Sequence, residues 1–166
     1  MHSYLTIALI SLAPAANWES SYGHAQQQAI SQQKPLAVVF GSGADGWTKI
    51  VRTNSPTPQI NNLLAEHYVC VYVDTDTTYG KDLARAFQIG GGVGMVISDR
   101  SGGSQAFWHQ GDMTNDHLIQ YLTKYADSRV VVTHTETTSP ARTSYYPGSA
   151  SYPAQTYSSG SRTVSC

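Results

Sequence analysis

The sequence predicts an α/β fold, a mixed sheet of about four to five strands flanked by helices and followed by a disordered C-terminal tail, and three observations carry that prediction. Residues 35–40 and 68–73 are short apolar runs rich in β-branched residues and lack polar alternation, so each suits a strand covered on both faces. The connection between them is long and carries helix signals, which makes the two strands parallel with a right-handed crossover. Residues 95–98 and 105–109 then flank Asp99-Arg100-Ser101-Gly102-Gly103, a polar, glycine-bearing link of the kind that closes an antiparallel hairpin.

In chain order, residues 1–16 form an apolar run followed by small residues with an Ala13-Pro14-Ala15 cleavage pattern. They read either as a secretory signal or as an N-terminal hydrophobic segment packed on the domain. The run is too short to span a bilayer, and the first reading implies export to the periplasm, the cell envelope or the medium. Trp18, Tyr22, Ala25 and Ala29 are spaced i, i+4, i+7 and i+11, a helical stripe for which Asn17 is the candidate cap and Pro35 the limit. After the first strand, Gly41-Ser42-Gly43-Ala44 lets the chain bend sharply, with Asp45 placed to cap a helix that begins near Trp47. Asn54-Ser55-Pro56 interrupts this helix. Thr57 and Pro58 restart it, with Ile60, Leu63, Leu64 and His67 on one face.

Asp74 and Asp76 follow the second strand and read as turn chemistry more simply than as cation ligands. Residues 81–89 predict a short helix with Leu83, Ala84 and Phe87 inward, followed by Gly90-Gly91-Gly92-Val93-Gly94. No Gly-Lys-Ser/Thr accompanies these glycines, and they lead into a strand, which argues against a phosphate loop. His109, Asp112, Asp116 and His117 are residue types that bind metals, but their spacing matches no recognised site. They read as a strand end followed by a helix capped by Thr114, with Leu118, Leu122 and Tyr125 facing the sheet. From residue 128 Ser, Thr, Tyr and Pro dominate, with residues 130–132 as a candidate last edge strand.

The pattern of a tryptophan-led helix, a Lys-Pro-apolar strand, a small-residue bend and a Gly-Trp resembles the thioredoxin-like proteins. The relevant branch is the one whose redox motif reads Cys-Gly-Trp-Cys-Lys. Here the same five places are Asp45-Gly46-Trp47-Thr48-Lys49, so both motif cysteines are absent. The resemblance runs through Asp127. It implies a three-layer sandwich over residues 17–127, between the leader of residues 1–16 and the tail of residues 128–166. It also implies that Val93 stands where that family carries a cis-proline, and it argues against the family's best-known activity.

Composition narrows the function classes. The chain has 166 residues, 10 basic and 11 acidic, for a net charge of −1, and only 13% of it is charged. Nothing there attracts nucleic acid or an anionic membrane. Its two cysteines, Cys70 in an apolar strand and Cys166 at the end, form neither a metal knuckle nor a disulfide framework. No cofactor or metal is expected.

The expected function is a redox-inactive protein- or peptide-binding module, with Ser42, Gly43, Asp45, Gly46 and Trp47 brought close to Gly92, Val93 and Gly94. Asp45 and Thr48 mark the places of the lost cysteines. One alternative is a thiol oxidoreductase acting through Cys70. Another, resting on the Ser/Tyr/Pro tail, is a structural envelope component.

Overall fold

A computed structural model describes residues 15–90 and 92–139. The elements in order are β1 (Trp18–Glu19), α1 (Tyr22–Gln32), β2 (Leu36–Gly41), a 3-10 turn (Gly46–Ile50), α2 (Pro58–His67), β3 (Val69–Asp74), α3 (Thr78–Ala86), β4 (Gly94–Ser98), β5 (Gln105–Gln110), α4 (Asn115–Ala126) and β6 (Glu136–Thr137). They form one mixed sheet in the order β1-β3-β2-β4-β5-β6. The two apolar runs become β2 and β3 and pair in parallel, Val38 beside Val71 and Gly41 beside Asp74. The hairpin becomes β4 and β5, and β4 joins β2 antiparallel with Phe40 opposite Gly94. A two-residue strand completes each edge.

Helices cover both faces, which explains why the central strands lack polar alternation. Alternate residues of β2 sort cleanly: Ala37 and Val39 join Ile60, Leu64, Leu118 and Leu122 under α2 and α4. Val38 and Phe40 join Tyr22, Ala25, Ala29 and Phe87 under α1 and the end of α3. Arg100, in the hairpin link, donates to the carbonyls of Gln33 and Ala126 and so ties the C-terminal ends of α1 and α4 together.

Several local expectations are corrected. Trp18 does not start a helix. It pairs in β1 with Cys70, and the helix begins at Tyr22 with Ser21 as cap, its hydroxyl accepting from the His24 amide. Tyr22, Ala25 and Ala29 keep their stripe, and Trp18 matched the spacing only because it lies four residues before Tyr22. The segment after Asp45 is a five-residue 3-10 turn, and the Asp45 side chain makes no capping bond. α3 begins earlier than expected, at Thr78, because the Thr77 hydroxyl caps it by accepting from the Gly80 amide at 3.0 Å. Gly80 is required there, since a Cβ would lie 1.9 Å from the Asp74 carbonyl oxygen.

The last edge strand forms at Glu136–Thr137, beside Phe107 and Trp108, and not at residues 130–132. Val130 and Val132 turn toward the core while Val131 is 81% exposed, so that stretch is extended without joining the ladder. Residues 128–139 nonetheless pack as a strap along β5. The Thr135 hydroxyl donates to the Gln105 carbonyl at 2.9 Å, and Glu136 accepts from Lys124 and from the Tyr125 hydroxyl. The leader reading for residues 1–14 and the tail reading for residues 140–166 lie outside the described residues.

Candidate functional site

The site is built where β2 and β3 end side by side. Gly41 closes β2, and the chain folds back so tightly that a Cβ on it would lie 2.3 Å from the Gly46 carbonyl oxygen. Gly43 takes the left-handed region at φ 84°, and its carbonyl accepts from the Gly46 amide at 3.1 Å. Tyr72 of β3 donates its hydroxyl to the same Gly43 carbonyl, in space that a side chain at residue 46 would fill. Burial, and next the nearby Asp74 carboxylate, push the Tyr72 hydroxyl up to about 12, so it remains a donor at any physiological pH.

Three further groups fix the bend. The Asp74 carboxylate accepts from the amides of Asp76 and Gly43, at 3.0 and 3.1 Å, and these bonds hold it below the usual carboxylate range. Ser42 donates to Asp76 at 2.9 Å, and Lys49 donates to the Ser42 carbonyl at 2.8 Å. Thr75 joins the bend to the glycine loop. Its amide donates to the Gly41 carbonyl at 2.7 Å, and its hydroxyl lies 2.9 Å from that carbonyl and 3.2 Å from that of Gly92.

The residues singled out in the sequence therefore sort into three settings. Ser42 and Gly92 line one groove with Thr75, while Gly43 is held by Asp74 and Tyr72 beside it. Gly94 opens β4 opposite Phe40, and a side chain on it would meet the His109 carbonyl and Ile89. Trp47 and Val93 lie on the other face of the sheet, both packed on the core layer under α2 and α4. Trp47 is half-buried, its ring 5.0 Å from that of Trp18 and inclined at 33°, so the two indoles make a shared aromatic ledge. Asp45 is exposed, Gly46 buried, and the Thr48 hydroxyl donates back to the Asp45 carbonyl at 3.1 Å.

Cys70 is 2% exposed in mid-strand, its sulfur 3.6 Å from the Leu64 carbonyl, and burial pushes its thiol up to about 12. A reactive thiol has the opposite setting, accessible and electropositive. His109 is held between Thr138 and the Asp112 carbonyl, and burial lowers its pKa. No cluster of three or more potential metal ligands occurs among the described residues.

A groove of about 720 Å³ between the bend and α3, lined by Ser42, Thr75, Lys81, Arg85, Ile89 and Gly90, was not foreseen. No motif announces it. It follows from the close seating of α3 at Gly80 and from the return of the chain past Gly90.

The chain matches no protein-family model and no curated protein sequence. Comparison with solved structures is decisive for the architecture. An oxidoreductase, DsbH, superposes with a TM-score of 0.57 over 78% of this chain and 96% of that one, at 16% identity. The protein has the thioredoxin fold. A thioredoxin from Thermus thermophilus agrees, with a TM-score of 0.55 over 66% of this chain and 86% of its own, at 20% identity. In this thioredoxin-fold protein Asp45 and Thr48 stand at the two ends of one hydrogen-bonded turn.

Proposed function

We propose that this protein is a non-catalytic thioredoxin-fold module that holds a peptide segment, its own or a partner's, on the face formed by the bend and the glycine loop. The reading is supported by a bend braced by Tyr72, Asp74 and Thr75, with Asp45 and Thr48 standing where the family resemblance would put the redox cysteines. A carboxylate and a hydroxyl cannot cycle between dithiol and disulfide, because exchange needs an attacking thiolate and a thiol leaving group. The alternative through Cys70 is disfavoured by that residue's burial and raised pKa. A structural envelope role rests on tail composition alone. Export is part of the proposal and rests on residues 1–16; no described helix is long and apolar enough to cross a membrane.

Two measurements test the reading. With dithiothreitol and insulin, the protein is expected to reduce disulfides no faster than the reductant alone, and turnover that survives Cys70→Ser would overturn it. In affinity capture from native extract, Trp47→Ala is expected to lower partner recovery about tenfold, the loss expected at an aromatic anchor, while Trp47→Phe keeps it. Equal recovery by wild type and Trp47→Ala would remove the aromatic ledge from the binding face.

A further inference from the structure

We propose that the outer edge of β5 is a docking edge for an extended acidic segment of a partner protein, and that the chain's own residues 135–139 stand in for that segment until it displaces them. This surface is separate from the face of the bend. The first argument is how the edge is covered. β5 runs six residues, Gln105–Gln110, yet β6 pairs with only two of them, Glu136 beside Phe107 and Thr137 beside Trp108. Toward either end, side chains do what the backbone of a neighbouring strand would do. The Thr135 hydroxyl donates to the Gln105 carbonyl at 2.9 Å, and Thr138 meets the His109 ring. The Ser139 hydroxyl accepts from the Gln110 amide at 3.3 Å and lies 3.4 Å from the Gln110 carbonyl. A continuous strand would meet such groups with its main chain, which is how an extended peptide adds to a sheet edge. The cover is thus partial, and a segment that pairs along all of β5 makes a longer ladder than the chain makes with itself.

The second argument is the chemistry that the edge selects. Glu136 lies on the side of α4, where its carboxylate accepts from the Lys124 ammonium and, at 2.7 Å, from the Tyr125 hydroxyl. The Lys124 nitrogen is 5.3 Å from the centre of the Tyr125 ring, so a cation and a hydroxyl donor converge on one carboxylate. Both charged side chains stay partly open to solvent, and an incoming acid reaches the ammonium without crossing the core. An acidic residue opposite Phe107 is therefore what the edge recognises, with backbone pairing on either side supplying affinity. Displacement also has a hinge. Val130 and Val132 pack on the core and hold the start of the strap, whereas Thr133 and His134 beyond them are exposed. Residues 135–139 can leave while residues 128–132 stay in place. The tether sets a threshold, because a segment on so short a connection competes at roughly millimolar effective concentration. A weak or neutral peptide does not displace it.

The test uses the full chain and a synthetic peptide, Ser-Thr-Val-Glu-Val-Thr-Val-Ser, read by amide exchange and by titration. Saturating peptide is expected to raise exchange at Glu136 and Thr137 at least tenfold, while the Gln110 amide stays protected because a peptide carbonyl replaces the Ser139 hydroxyl. Glu136→Gln weakens the stand-in and should therefore tighten the peptide at least threefold. The same peptide with glutamine for its glutamate should bind at least fivefold more weakly, and in Lys124→Ala that ratio should shrink at least twofold. Peptide binding that leaves residues 136 and 137 protected would overturn the proposal by placing the peptide elsewhere. An affinity unmoved by Glu136→Gln, or no binding to that variant at all, would overturn it too. If exchange at residues 136 and 137 varies with protein concentration when no peptide is present, the cover belongs to a second copy and the proposal falls. Trp47→Ala is expected to leave all of these readings unchanged, which separates this edge from the face of the bend.

Discussion

The bend at residues 41–50 and the strap at residues 128–139 both shape the site, yet they are held by different chemistry. In the bend every contact ends on backbone: Gly41 lies against Gly46, the Gly43 carbonyl accepts from the Tyr72 hydroxyl, and the Gly41 carbonyl accepts from the Thr75 amide. In the strap only Glu136 and Thr137 join the ladder, and the anchors are surface side chains, Thr135, Glu136, Thr138 and Ser139. The difference teaches where substitutions are tolerated. A backbone-built bend tolerates change at its exposed positions and none at its contact glycines, whereas a strap held by side chains responds to pH and to loss of a single charge.

The sharpest way to break this contrast is at Gly41. A Cβ 2.3 Å from the Gly46 carbonyl oxygen meets backbone, which cannot swing aside as a side-chain end can. Gly41→Ala is expected to cost roughly 3 kcal/mol in urea unfolding, at the upper end of overpacking effects. Gly43→Ala meets nothing within 4 Å and should cost only the left-handed backbone penalty, about 1–2 kcal/mol. Equal costs would mean that the fold-back at Gly46 is not what requires Gly41.

The strap sharpens the comparison from the other side. The Glu136 carboxylate is held below its ordinary value of 4.5 by hydrogen bonds from Lys124 first and Tyr125 next, with His134 adding a smaller charge effect. A depressed carboxylate contributes stability above its unfolded pKa and loses it as pH falls through the lower folded value. The strap should therefore loosen below about pH 4.5 and hold its anchor at neutral pH. Since the Lys124 and Glu136 side chains are 45% and 31% exposed, solvent screening limits the charge contribution to about 0.5–1 kcal/mol. Glu136→Gln should raise amide exchange at residues 135–139 about three- to fivefold at pH 7 and flatten its acid dependence. Exchange unchanged by the substitution would transfer the anchoring to Thr135 and Ser139.

How far the sequence reveals these two regions follows from the same contrast. β2, β3 and the hairpin are legible because their apolar runs and turn residues act locally, and Gly41, Gly43 and Gly46 are visible as a bend because only glycine suits so sharp a turn. What they touch is not legible. That Tyr72 braces Gly43, or that Thr75 joins the bend to Gly92, depends on strands distant in sequence being brought into register. The last edge strand is expected at residues 130–132 and forms at Glu136–Thr137, because three consecutive valines outweigh Glu136–Thr137 by strand propensity alone. The segment that pairs is the one whose carboxylate Lys124 and Tyr125 also hold, a long-range contact that propensity does not carry. Trp18 shows the same limit, since one position of a helical stripe cannot be told from a residue just outside the helix.

The smallest effect is expected at Asp45 and Thr48, the two positions proposed to stand in place of a redox pair. Asp45 is exposed and makes no capping bond, and Thr48 contributes one surface bond to the Asp45 carbonyl. Exposed substitutions away from backbone contacts usually stay within about 0.5 kcal/mol, so Asp45→Cys/Thr48→Cys should leave the urea midpoint nearly unmoved. The Thr48 amide donates to the Asp45 carbonyl at 3.3 Å, which makes the pair the ends of one turn. Turn ends lie less than about 7 Å apart between Cα atoms, close to the span of a disulfide. On mild oxidation both new thiols should therefore become inaccessible to alkylation in the native state, with Cys70 unreactive throughout. A double variant that folds normally but keeps both new thiols titratable after oxidation would mean that the bend does not have the shape of a dithiol site.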